Sequence, residues 1–128
     1  MNGRRVVRTE QAPQAIGPYS QAIVAGGFVY VAGQLALEPG TGQIVPGDAR
    51  IQTKRVMENL KAILEGAGSS LAAVVKTTVF LRDLNDFGAM NEIYGSYFQE
   101  DPPARSTVQV AKLPRDGAVE IEVVALAK

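Results

Sequence analysis

The sequence contains no cysteine and no histidine. The first absence removes disulfides, thiolate metal sites and cysteine nucleophiles. The second removes the common zinc ligands, the Ser-His-Asp triad and the paired-histidine chemistry of many ribonucleases. Tryptophan is also missing, and 13 basic residues balance 13 acidic ones without a long block of either sign. A neutral chain with no basic stripe lacks the electrostatic footprint of a nucleic-acid binder, so nucleic acid is not an expected partner. No apolar run reaches the length of a membrane span or a signal-peptide core, which gives the expectation of a cytoplasmic protein with no membrane attachment. Arg4, Arg5 and Arg8 read as a solvated fringe at the chain end. Any catalysis must rest on Arg, Glu, Asp, Tyr, Lys, Ser, Thr, Asn or backbone groups.

What is present suits one packed core: 128 residues, 46% of them apolar, with no repeat and no linker long enough to divide the chain. One domain over residues 1–128 is expected. Residues 20–24 and 28–32 are apolar or β-branched runs on either side of Ala25-Gly26-Gly27, the pattern of a hairpin with a glycine turn. A second pair of strands, 34–38 and 43–45, is expected about Pro39-Gly40-Thr41-Gly42. Asp48 caps a helix in which Ala49, Thr53, Val56, Met57, Leu60, Ile63, Leu64 and Ala67 recur at three- and four-residue intervals, and Gly66 and Gly68 stop it.

Residues 74–81 form the strongest strand, with Lys76, Thr78 and Phe80 on one face and Val75, Thr77, Val79 and Leu81 on the other. Asn85 or Asp86 opens a second helix that ends at Asp101-Pro102-Pro103. Its Phe87, Met90, Tyr94, Tyr97 and Phe98 lie along one side, and this spacing assigns them to the core. Strands at 106–110 and 119–127 close the chain. The result is α+β, with two helices over one sheet face. The other face carries Val, Ile, Leu and Ala with no helix left to cover it, which points to association with another copy of the chain.

Two charged positions could carry chemistry. Arg105 follows Pro102-Pro103-Ala104, where a rigid turn feeds a strand, and a held guanidinium suits a carboxylate through two parallel hydrogen bonds. Glu120 and Glu122 alternate within the apolar run 119–127 and share one face of the strand. A partly buried carboxylate there can hold a water or pass a proton. Equally, Arg105 and Glu120 could form a plain ion pair between adjacent strands, and residue physics does not choose between the two.

Several ordered motifs together resemble a known family. They are Ala15-Ile16-Gly17-Pro18-Tyr19, Ala32-Gly33-Gln34, Val75-Lys76-Thr77-Thr78-Val79-Phe80-Leu81 with Asp83-Leu84-Asn85-Asp86-Phe87, and Pro103-Ala104-Arg105-Ser106 leading to Glu120-Ile121-Glu122. The family is that of the Rid (YjgF) proteins, also known as translation inhibitors or L-PSP endoribonucleases, and the resemblance spans nearly the whole chain. It implies a chorismate-mutase-like subunit with a six-stranded mixed sheet and two helices on one face. It implies a homotrimer with a site in each cleft between subunits, and no cofactor or metal. The implied reaction is hydrolysis of 2-aminoacrylate, 2-iminopropanoate and 2-iminobutanoate, products of pyridoxal-phosphate dehydratases, to 2-oxo acids and ammonia.

Matched by position, the resemblance makes Arg105 the carboxylate anchor beside the Gly33 backbone and Glu120 the water-positioning group, with Tyr19 and Asn91 on pocket positions. Two positions depart from many family deaminases, which have Ser where this chain has Ala32 and Cys where it has Thr107. Losing one neutral hydroxyl bond costs on the order of 1 kcal/mol, so the departures bear on substrate preference more than on the reaction itself. The alternatives are an RNA-directed role, and a non-catalytic trimer that binds small carboxylates or unfolded chains. Turnover separates the last of these from an enzyme.

Overall fold

The computed structural model describes residues 3–128. Six strands form one mixed sheet in the order β1-β2-β3-β6-β4-β5: β1 Arg4–Val7, β2 Ala22–Ala25, β3 Phe28–Gln34, β4 Val74–Leu81, β5 Ala104–Gln109 and β6 Val119–Leu126. Helices α1 (Ala49–Gly66) and α2 (Phe87–Tyr97) cover one face. Every pairing is antiparallel except β4 with β5. A parallel pair needs a long crossover, and α2 is part of it.

The β2–β3 hairpin turns at Gly26 and Gly27, whose φ values of +59° and +87° match the twist of a two-residue hairpin and favour glycine at both places. The second expected pair of strands is reduced to one bridge, Leu37 with Ile44, because Pro39 to Gly42 takes up most of the segment as a turn. The Arg4 to Val7 segment is not a fringe. It pairs along β2 and buries Val7, and Arg5 donates to the Ala67 carbonyl at 3.3 Å. Two β-branched residues after two long side chains suit an edge strand.

Asp48 caps α1 by accepting from the Ile51 amide at 3.1 Å. Val56, Met57, Leu60, Ile63 and Leu64 are fully buried against Val29, Val79, Ile121 and Val123 of the sheet. Deleting such a side chain to Ala costs roughly 2–5 kcal/mol. Asn59 is also fully buried and donates to the Leu35 and Leu37 carbonyls at 3.3 and 3.0 Å, which ties the helix to the chain leaving β3.

Two bulges break the simple alternation. On β4, register shifts between Val74 and Lys76, so Val75 is turned outward at 38% exposure and does not join Thr77, Val79 and Leu81. On β3, the shift lies between Val31 and Gln34 and falls on Ala32-Gly33. The face without helices is mixed in character. Tyr30, Lys76, Thr78, Phe80 and Glu122 stand there beside Val124, where an aliphatic surface was expected.

Candidate active site

Arg105 is the second residue of β5 and stands opposite Thr77 of β4, so its side chain leaves the sheet on the side covered by helices. There it meets three groups of α2. Nη1 donates to Asn91 Oδ1 at 2.7 Å. The guanidinium carbon lies 4.8 Å from the centre of the Tyr94 ring and 5.5 Å from that of Phe87, within cation–π reach of both. Among the described residues no carboxylate forms an ion pair with Arg105. The charge is oriented without being neutralised, and it lines a cavity of about 490 Å³ walled by Asn91, Tyr94, Phe98, Pro102 and Pro103. An anion with two coplanar oxygens matches that fork. Thr107, next along the same side of β5, has a solvent-shielded hydroxyl with no hydrogen-bond partner. Its desolvation is not offset by a hydrogen bond within the chain.

Glu120 is reached from a different direction. It stands opposite Phe80 of β4 and leaves the sheet on the uncovered face. The β3 bulge brings Gly33 against it so closely that a Cβ at position 33 would fall 3.0 Å from the carboxylate carbon. The carboxylate occupies the space that any other residue would fill. Tyr19, Ala32, Gly33 and Glu120 share a cavity of about 470 Å³ whose apolar walls include Ile16 and Leu37. Burial first, and the neighbouring Glu122 carboxylate second, raise the proton affinity of Glu120 above the usual glutamate range. Tyr19 is 54% exposed, and its hydroxyl accepts from the Ile16 amide at 3.4 Å. Gln21 fixes this segment by bonding Thr9 and the Pro13 carbonyl.

The structure therefore divides the seven candidate residues between two sides of the sheet, all but Thr107 lining one of the two concavities. Asn91, Arg105 and Thr107 lie on the helix side, and Tyr19, Ala32, Gly33 and Glu120 on the other. The Arg105–Glu120 ion pair left open by the sequence does not form within one chain, because β4 separates β5 from β6 and the two side chains leave the sheet on opposite sides. Among the described residues no group of three Asp or Glu side chains could hold a metal ion. No helix is long and apolar enough to cross a membrane.

The family model "Endoribonuclease L-PSP" matches residues 9–127. The chain belongs to the Rid (YjgF) family. A RutC family protein of Pyrococcus abyssi is 58% identical to it over 122 residues, covering 95% of this chain and 96% of that protein. The mouse protein named 2-iminobutanoate/2-iminopropanoate deaminase is 51% identical over 123 residues, covering 96% of this chain and 91% of its own. Escherichia coli TdcF, solved with bound serine, superposes with a TM-score of 0.92 at 44% identity and covers 97% of this chain and 99% of its own. The six-stranded sheet with two helices is thus the Rid, chorismate-mutase-like fold.

One assignment within this Rid chain needs correction. The aromatic stripe of α2 is not all core: Met90, Tyr94 and Phe98 are buried, but Phe87 is 38% exposed, and the rings of Phe87 and Tyr94 lie against Arg105. The spacing that brings them there, 87, 91 and 94, is also the spacing of an amphipathic helix, so the pattern alone gave no reason to separate them. Arg115, whose guanidinium donates to the Gly42 carbonyl at 2.8 Å, also lines the Glu120 cavity and carried no sequence signal.

Proposed function

We propose that this chain is a one-domain cytoplasmic 2-imino acid deaminase that works as a homotrimer without a cofactor. Arg105 of one copy and Glu120 of the next meet in each cleft between neighbours. The observation that carries this reading is the division of one chemical constellation between two sides of one sheet. An unneutralised guanidinium and a carboxylate with raised proton affinity suit one small substrate, yet no single copy brings them together. A second copy placed against the uncovered face can.

In the cleft, Arg105 takes the substrate carboxylate in a bidentate pair, and this sets the imine carbon at a fixed distance from the Glu120 carboxylate. Glu120 holds a water and accepts its proton as the oxygen bonds to the imine carbon. The resulting carbinolamine then collapses. For a protonated imine, Glu120 returns that proton to nitrogen, the C–N bond breaks as the oxygen lone pair forms the carbonyl, and the hydroxyl proton passes through Glu120 to the departing ammonia, so a 2-oxo acid and ammonium leave. A raised proton affinity suits a group that must take and return a proton near neutral pH. Ile16 and Leu37 offer an apolar wall for an aliphatic side chain.

The test couples a threonine dehydratase to this protein and follows 2-oxobutanoate release with semicarbazide as scavenger, comparing wild type with Arg105→Ala. Acceleration by the wild type alone supports the reading. No acceleration from a folded trimer overturns the deaminase for these imines and leaves carboxylate binding without turnover.

A further inference from the structure

Phe87, Asn91 and Tyr94 occupy positions i, i+4 and i+7 of α2, one straight row on the helix, and all three touch the same guanidinium. The row has a chemical peculiarity. A surface arginine commonly pairs with Asp or Glu, but here the hydrogen-bond acceptor is an amide and the other two contacts are ring faces. We propose that this row is a charge-neutral cradle, in which Phe87, Asn91 and Tyr94 act as positioning residues that fix the Arg105 fork while leaving its full charge for the substrate carboxylate. The inference rests on the reading of Arg105 as carboxylate anchor.

Each member contributes something distinct. Tyr94 is the fixed wall: it is 4% exposed, its hydroxyl is 2.8 Å from that of fully buried Thr77, and its ring packs 4.9 Å from Phe98. Asn91 uses one Nη1 donor and leaves the remaining guanidinium donors for a ligand. Phe87 is the outer wall, and its exposure would be wasteful for a core residue but suits a ring that shields one side of a cation from water. An Asp at position 91 would keep the hydrogen bond and the shape, yet it would compete with the substrate for the same charge.

The experiment measures binding of 2-oxobutanoate, the stable product, by titration calorimetry, alongside KM and kcat in the coupled assay. It is run on wild type, Arg105→Ala, Asn91→Asp, Phe87→Leu and Phe87→Trp, each checked for trimer mass and Tm. The expected result is Arg105-dependent binding that weakens more than tenfold in Asn91→Asp. In Phe87→Leu it weakens about two- to fivefold and is restored by Phe87→Trp, since a leucine keeps the apolar bulk but not the ring face. KM rises more than kcat falls. If wild type binds through Arg105 but Asn91→Asp binds as tightly, the cradle is overturned and the anchor stands. If Arg105→Ala binds like wild type, the anchor reading falls and the cradle falls with it.

Discussion

If each site takes Arg105 from one copy and Glu120 from its neighbour, two inactive variants must rescue each other. Arg105→Ala removes two charge-assisted hydrogen bonds worth ~1.5–3 kcal/mol each, which lowers turnover at limiting substrate by roughly a hundredfold or more. Glu120→Gln removes the proton acceptor, a loss of about the same order. When the two chains are unfolded together in equal amounts and reassembled, random association places both kinds in about three quarters of the trimers. Every mixed trimer has one cleft in which an Arg105 from a Glu120→Gln chain faces a Glu120 from an Arg105→Ala chain. One restored cleft in three, over three quarters of the population, gives about a quarter of wild-type activity. That is at least tenfold above either parent alone. The assay is 2-oxobutanoate release, with differently tagged chains confirming that mixed trimers formed. Activity equal to the mean of the parents, in trimers shown to be mixed, would refute the division of the site.

Three further outcomes are expected. Gly33→Ala places a Cβ where the Glu120 carboxylate stands, and a displacement of about 1 Å at the reacting group costs on the order of 10²-fold in kcat/KM. The same substitution added to Glu120→Ala should cost almost nothing more, and a circular-dichroism melt should show the fold intact. Glu122→Gln removes the charge that helps hold the Glu120 proton, so the proton affinity falls and the acid limb of the kcat/KM profile moves to lower pH. A shift to higher pH would contradict the assignment. Asn59→Ala leaves the Leu35 and Leu37 carbonyls without their donor and should cost about 1–3 kcal/mol, read as a Tm several degrees lower.

The sequence carried much of the fold because its strongest signals are local. The Asp48 cap and the periodicity of α1, the paired glycines at 26 and 27, and the β-branched run from Val74 to Leu81 each act over a few residues and are not opposed by tertiary packing. The β1 strand was hidden because four residues beginning with two arginines have no internal periodicity and become a strand only through β2. The bulge at Val75 was hidden because register is a property of two strands, and one run of sequence contains only its own half. The same limit governs the site. Arg105 and Glu120 stood out as charges in apolar settings, but whether they face each other depends on β4 lying between their strands. Phe87 and Tyr94 were indistinguishable from core aromatics until the guanidinium was seen against them.

The buried hydroxyl of Thr107 has a further consequence. It stands two residues from Arg105, and the chain has no cysteine there or anywhere else. Peroxide, hypochlorite at thiol-selective doses, alkylating agents and mercurials all inactivate enzymes by attacking a thiolate, and this cleft offers them none. Any loss of function under such reagents must therefore come from another side chain, and the sulfurs of Met57 and Met90 are fully buried.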